Sequence, residues 1–376
     1  MEVSQIKKNY LPNIAFLIII FVIPILHVLF KDKTFSFIEN RYLSKFPKLS
    51  IESLISGEFN NKLSSYLEDH FPFRDEFITL KSSFELLIGR RDINDVYISK
   101  NGYLIESFRD LDLKVVNNNL NLINNLSKNY KVSLMLIPTS SEILKDYLPP
   151  YSLNIDQVKL FKYLKNELNS SVKFIDPTDI LNAHKDEYIY YKTDHHYTTL
   201  GAYYSYLEFA EQNNIFPLNK EDFSIQKVSD KFLGSLFSKI NLNTITPDEV
   251  YLFHNKKQDE VMVDYLTKKS NSLYEFSYLD NPRNHYNIFL DNNHPLIKIN
   301  TSTKNNKKLC IIKDSYANSF IPFLVNHFEE IHVIDLRFYS KNIINYLDEN
   351  NLEEVLIYYN IKNFCEDKNL IFIKQN

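Results

Sequence analysis

Lys131-Val132-Ser133-Leu134-Met135-Leu136-Ile137-Pro138 decides the fold. Nearly every position is apolar, so both faces of an extended chain would be buried, as in an interior strand of a parallel sheet. Pro138 closes the run. Outward from it, Gln157 to Leu168 reads as a helix, Val172 to Ile175 as the next strand and Leu200 to Asn213 as another helix. Further on come strand-like Leu309-Cys310-Ile311-Ile312, a helix over Ser319 to Phe328 and strand Ile331-His332-Val333-Ile334. A helix over Lys341 to Leu347 and strand Glu354 to Tyr359 complete the series, and Asn369 to Lys374 can add an edge strand. Short apolar runs alternating with helices specify an α/β fold with a mostly parallel sheet and helices on both sides. In such sheets ligands bind beyond the carboxyl ends of strands, and Asp314-Ser315 sits at one of those ends.

The chain has 376 residues, 44% hydrophobic and 24% charged, which suits a folded protein with a large core. A net charge of -4 with interspersed signs provides no basic stripe for a phosphate backbone, so nucleic acid is not an expected partner. Two cysteines, Cys310 and Cys365, make neither a disulfide framework nor a zinc site.

Leu11 to Phe30 is almost unbroken apolar sequence, with Asn13 and His27 the polar exceptions. About 20 helical residues span roughly 30 Å, the thickness of a bilayer's hydrocarbon core. Lys7 and Lys8 precede the stretch and no small-residue cleavage site follows it, so 11–30 is expected to be an uncleaved signal anchor. A single extracytoplasmic domain is then expected over 35–376. Within it, Ser50 to Leu67 and Phe77 to Leu87 carry helical spacing, and Val96-Tyr97-Ile98 with Tyr103-Leu104-Ile105 reads as a hairpin about Asn101-Gly102. The polar, Asn-rich segment 256–303 is too long for a plain loop and is expected to be an inserted flap.

The chemistry concentrates in Lys192-Thr193-Asp194-His195-His196-Tyr197-Thr198-Thr199. Residues two apart in an extended segment share a side, so Asp194 and His196 can pair while His195 faces away. A serine hydroxyl needs a base, and the base needs a group that fixes its tautomer. Asp194, His196 and Ser315 supply those three types. The Ser315 amide is the first expected oxyanion donor, helped by a helix starting near Asn318. Asn318 and Arg337 are the nearest side-chain donors by sequence; Tyr316, Tyr197 and Arg74 are further oxyanion or substrate candidates, with His195 and Thr193 in support. Taken alone, a serine after a strand is more often a helix cap. Histidines 184, 195 and 196 lack a second carboxylate or cysteine at a ligand spacing, so neither metal nor cofactor is expected. Tyr188-Ile189-Tyr190-Tyr191 reads as strand packing, with a sugar-stacking platform as the alternative.

Together, Tyr190 to Thr198, Gly201-Ala202-Tyr203 and Lys313-Asp314-Ser315-Tyr316-Ala317-Asn318 resemble the DHHW family, which is similar to the alginate O-acetylation proteins of the SGNH-hydrolase-like superfamily. Further matching blocks are Glu39-Asn40-Arg41, Phe71-Pro72-Phe73-Arg74-Asp75, Val96 to Leu104, Phe232 to Lys239 with Pro247-Asp248, and Ile334 to Tyr339. Tyr197 stands where the family name has Trp, and Lys313 stands where SGNH enzymes carry glycine. The Asp-x-His element precedes the serine, the permuted order of the alginate group. The resemblance implies an SGNH-like three-layer sandwich in which Asp194 orients, His196 is the base and Ser315 carries the acyl group. It also implies acetyl transfer onto an extracytoplasmic polysaccharide, with a multispanning membrane O-acyltransferase supplying the acyl group. A carbohydrate esterase with the same triad, or a non-catalytic polysaccharide-binding or assembly protein, are the alternatives.

Overall fold

The computed structural model describes residues 10, 12–14, 16–36, 41–242, 244–257 and 260–374. Lys7, Lys8, Leu11 and the Glu39-Asn40 pair lie outside the described residues. The chain divides into two compact units, 1–90 with 238–243, and 91–237 with 244–376, where one domain from residue 35 was expected.

In the first unit, Ser50 to Leu67 is two helices, Ile51–Ile55 and Glu58–Asp69. They break at Gly57, whose φ of 75° is a left-handed conformation that costs glycine little. A third helix, Arg74–Leu87, follows. Among the described residues no helix is long and apolar enough to cross a membrane; residues 11 and 15 of the stretch expected to span one lie outside the described residues. Ile18–Val22 is a π-helix and Ile23–Leu29 an α-helix with Pro24, a residue with no N–H to give to the preceding turn, in its first turn.

The second unit is built on a sheet of eight strands among the described residues. In chain order these are β1 (Lys131–Ile137), β2 (Lys173–Ile175), β3 (Val261–Asp264), β4 (Lys269–Ser270), β5 (Leu296–Thr301), β6 (Lys308–Lys313), β7 (Glu330–Ile334) and β8 (Glu354–Asn360). Their spatial order is β4-β3-β5-β7-β6-β8-β1-β2. From β7 to β2 every neighbouring pair is parallel, while β5, β3 and β4 add an antiparallel edge. Segment 256–303, expected as a flap, therefore contributes three strands to the sheet, and its irregular remainder lies largely between β4 and β5.

Alternation along the strands sends side chains to two cores. Leu309 and Ile311 of β6, Met135 and Ile137 of β1, and Tyr358 of β8 join one; Cys310, Ile312, Leu134, Leu136 and Ile357 join the other. Helix α1 (Leu113–Leu126) and helix α2 (Gln157–Glu167) pack on the second core through Val116, Leu120, Leu160 and Leu164. Helix α3 (Thr199–Gln212) covers the first through Tyr203, Tyr206 and Phe209. The result is helices on both faces of the sheet, and each such side chain taken from water contributes roughly 1.5–3 kcal/mol. Caps are supplied locally: Asp112 accepts from the Lys114 amide at 2.9 Å and Asp156 from the Lys159 amide at 3.0 Å.

Two elements differ from expectation. Ser319 to Phe328 is not one helix but two 3-10 turns, Ser315–Ser319 and Ile321–Phe323, because Pro322 cannot continue an α-helical ladder. Asn369–Ile373 is a 3-10 turn that buries Leu370 and Ile373 in the second core rather than pairing at a sheet edge.

Candidate active site

Strand β6, in the parallel half of the sheet, delivers Ser315 two residues past its end. Asp314 locks that exit. Its buried carboxylate accepts from the Tyr316 amide (2.9 Å), the Asn360 amide at the end of neighbouring β8 (2.9 Å) and Asn363 Nδ2 (2.7 Å). Ser315 thus starts a 3-10 turn, half-buried, with its amide at a first position that has no acceptor within the turn.

The loop before α3 brings the other two groups. Residues 192–196 form bends, not a strand, so the pairing of Asp194 with His196 does not come from extended alternation. Asp194 Oδ1 instead accepts both the His196 amide at 3.0 Å and His196 Nδ1 at 2.5 Å, a local side-chain turn. On the far side of the ring, His196 Nε2 and Ser315 Oγ are 2.8 Å apart. Asp194 Oδ2 accepts the Ser235 amide at 2.7 Å. Next to it, Gly234 leaves no room for a side chain: a Cβ there would stand 2.3 Å from Asp194 Cβ and 2.4 Å from its Oδ2.

Electrostatics follow from burial. Asp194 is 5% exposed, and burial works against its charge; the two neighbouring imidazoles and the Ser235 amide overcome it and hold the carboxyl well below its usual range. For His196, burial first and the adjacent His195 second push the imidazole down to about 4, against the pull of Asp194, with Arg337 adding to the downward push. At neutral pH the imidazole is uncharged and able to take a proton.

Tyr286, in the segment expected as a flap, was not identified from sequence. Its ring stacks on His196 at 3.7 Å and 10°, and its hydroxyl donates to the Ser315 carbonyl at 2.9 Å. Nothing local to a polar, weakly periodic stretch marks this tyrosine among its neighbours. Asp248 was also missed. Its carboxylate, 2% exposed, accepts the Lys192 amide (2.8 Å), the Thr193 amide (2.7 Å), the Thr193 hydroxyl (2.6 Å) and the Tyr188 hydroxyl, holding the residues that precede Asp194. Its place in the Pro247-Asp248 block was the available signal.

The remaining candidates divide by what they touch. His195 does not face away: its ring lies 3.9 Å from that of His196, and Nδ1 bonds Ser235 Oγ at 2.7 Å. Thr193 Oγ1 accepts the Gly234 amide at 3.0 Å, joining Asp248 to the Asp194 neighbourhood. Tyr197 is fully buried, its hydroxyl bonded to the Tyr316 carbonyl (2.8 Å) and Tyr358 (2.6 Å), and Tyr316 points to the His195 carbonyl; both brace the loop from inside. Asn318 Nδ2 contacts the Asn292 carbonyl and Asn293 Oδ1, each at 3.3 Å. Arg337 is clamped by Asp335 at 2.8 and 2.5 Å, and the same carboxylate lies 3.4 Å from the fully buried Lys313 ammonium. Arg74 belongs to the other unit, at the start of Arg74–Leu87. Asp194, His195 and His196 place three possible metal-ligating atoms within 4.8 Å, but the hydrogen bonds to His196, Ser235 and Ser315 already use the Asp194 oxygens, both His196 nitrogens and His195 Nδ1.

The chain is similar in fold to a DHHW family protein from Eubacterium siraeum, with 24% identity and a TM-score of 0.65 over 75% of this chain and 96% of that one. It is likewise similar to Bacillus cereus PatB1 solved with a sulfonyl adduct, with 20% identity and a TM-score of 0.62 over 74% of this chain and all of that one. No curated protein sequence matches it. The family model for DHHW protein matches residues 93–334, which take in Asp194, His196 and Ser315, and the chain belongs to the DHHW family.

Proposed function

We propose that this chain is an O-acyltransferase that moves an acetyl group onto a polysaccharide hydroxyl outside the cytoplasm, through an acyl-Ser315 intermediate. The observation that carries this reading is the continuous line from Asp194 Oδ1 to His196 Nδ1 (2.5 Å) and from His196 Nε2 to Ser315 Oγ (2.8 Å). Ser315 Oγ attacks the carbonyl carbon of the acyl donor while His196 Nε2 takes its proton. Asp194 keeps the Nδ1 proton in place and stabilises the imidazolium. The oxyanion that forms is met by the Ser315 amide. Collapse breaks the bond to the donor's leaving group, which takes the proton from His196. A sugar hydroxyl then repeats the cycle on the acyl-serine: its proton passes to His196 and on to Ser315 Oγ as the serine leaves.

A multispanning membrane O-acyltransferase is the partner that would deliver the acyl group, with this chain held at the membrane by 11–30. Support for that attachment is the composition of the stretch, where Phe21, Ile25 and Val28 are exposed apolar side chains. The test is turnover of an activated acetyl ester with and without added glycan, beside Ser315→Ala and His196→Ala. Acetylated glycan formed by the native chain and by neither variant is the expected result. Acetate release that glycan never diverts would replace transferase with esterase, and no turnover at all would remove the catalytic reading.

A further inference from the structure

A cavity of about 660 Å³ opens within the sheet-bearing unit, and Ser315 and His196 are not among its lining residues. It lies against the loop that carries Asp194 and His196: Lys192, Thr198 and Thr199 line it, whereas Asp194 and His196 of the same stretch make the line to Ser315. The volume falls in the range of small-ligand sites, about 300–1,000 Å³.

Its walls are aromatic. Tyr103, Tyr147, Tyr188, Tyr251 and Phe253 present rings, and flat rings with polar edges suit the alternating C–H and hydroxyl faces of a pyranose. Tyr103 is the most telling. It is 7% exposed, yet its hydroxyl has no hydrogen-bond partner among the described residues. That hydroxyl is not among the polar atoms sealed from solvent, so it is open to a partner entering the cavity. The Lys192 ammonium stands 5.6 Å over the Tyr103 ring, and the Tyr147 ring is 5.5 Å away.

Charge narrows the ligand. Carboxylates of Asp186, Glu187, Asp248 and Glu249 line the cavity against the ammonium groups of Lys192 and Lys220; Glu249 has an outside partner in Lys227 at 2.9 Å, and Glu187 has outside partners in His184 Nδ1 at 2.7 Å and the Tyr204 hydroxyl at 2.8 Å. Carboxylates outnumber ammonium groups even with Lys227 counted. A uronate, sulfated or phosphorylated chain would meet like charge here.

We propose that this cavity is a saccharide-binding site for a neutral glycan that holds the acceptor chain away from the reacting serine. The inference rests on the polysaccharide reading given above and names the class of that polysaccharide. It also couples the two places. Asp248 lines the cavity and holds the Lys192 and Thr193 amides at 2.8 and 2.7 Å, and Thr193 Oγ1 in turn accepts the amide of Gly234, which packs on Asp194.

The test uses the full chain carrying Ser315→Ala, so that binding is read without turnover. Isothermal titration is made with three probes: an N-acetylglucosamine tetramer, a glucose tetramer and a mannuronate tetramer. Binding of at least one uncharged probe, at least tenfold tighter than the uronate, is expected. Tyr103→Phe, which keeps the ring and removes the hydroxyl, should weaken that binding about threefold to tenfold. Tyr147→Ala, at a half-buried position, is the second variant should Tyr103→Phe unfold. No heat from either uncharged probe, preference for the uronate, or unchanged binding in the folded variants would overturn the proposal. Loss of ester turnover in the native chain would instead refute the acyl-transfer reading, and calorimetry on the Ser315→Ala protein distinguishes the two failures.

Discussion

Gly234 and Asp194 share one space: a Cβ on Gly234 would come within 2.3 Å of the Asp194 Cβ and 2.4 Å of its Oδ2. The contact is with the stem of a side chain pinned by the Ser235 amide and by His196, not with the free end of a flexible one. Gly234→Ala must therefore displace Asp194. We expect more than a tenfold loss of ester turnover, with about 1–3 kcal/mol of stability lost to overpacking. Kinetics with chemical denaturation of the same variant checks both, and near-native turnover would contradict the placement of Asp194.

The depressed His196 basicity sets a pH profile. Burial, then His195, push it down to about 4, and only the neutral ring accepts the Ser315 proton. kcat/KM should rise about tenfold per pH unit below that value and stay flat from about pH 5 to 8. An inflection near 6.5, the ordinary imidazole value, would contradict the burial argument.

Stability has the same sign. The folded state binds fewer protons at His196 than the unfolded chain between about pH 4 and 6.5, so this group destabilises the fold as pH falls through that window. Asp194, held below its ordinary value, contributes stability that is present above about pH 3.9 and lost as pH falls below it. Urea midpoints measured between pH 4 and 7 should decline with acid, and the decline from 6.5 to 5 should shrink in His196→Ala.

Tyr286 makes two separable contacts with the site, a stack on His196 and a hydrogen bond to the Ser315 carbonyl. Tyr286→Phe keeps the first and loses the second, leaving a carbonyl whose hydrogen bond is worth roughly 0.5–1.5 kcal/mol. A loss of threefold to tenfold in kcat is expected for Phe and a larger one for Ala, with the pH inflection moving up in Ala as water reaches the ring. Equal rates in the two variants would deny the stack a role.

Sheet-forming runs such as Leu309 to Ile312 and Val355 to Tyr359 could be read in the chain because burial on both faces demands continuous apolar sequence. The antiparallel edge could not. Val261–Asp264 and Lys269–Ser270 are short and half exposed, and the Asn-rich stretch around them carries no period. Pro322 ends helical continuity inside a stretch whose apolar composition otherwise suits a helix. At the site, spacing two apart does join Asp194 to His196, but through a bend closed by the Asp194 side chain rather than a strand. Nothing local brings His196 to Ser315 across 119 residues. That meeting depends on where β6 ends and on Asp314 and Asp248, each tying down one side of it.

The most direct test of the account is covalent. The native chain, treated with an activated acetyl ester or a sulfonyl fluoride and digested, should carry one adduct, on Ser315, by mass spectrometry. Ser315→Ala should carry none, and His196→Ala should acquire it at least a hundredfold more slowly. A folded native protein that remains unmodified at Ser315, or carries its adduct on another residue, would contradict the claim that Asp194 and His196 make Ser315 a nucleophile.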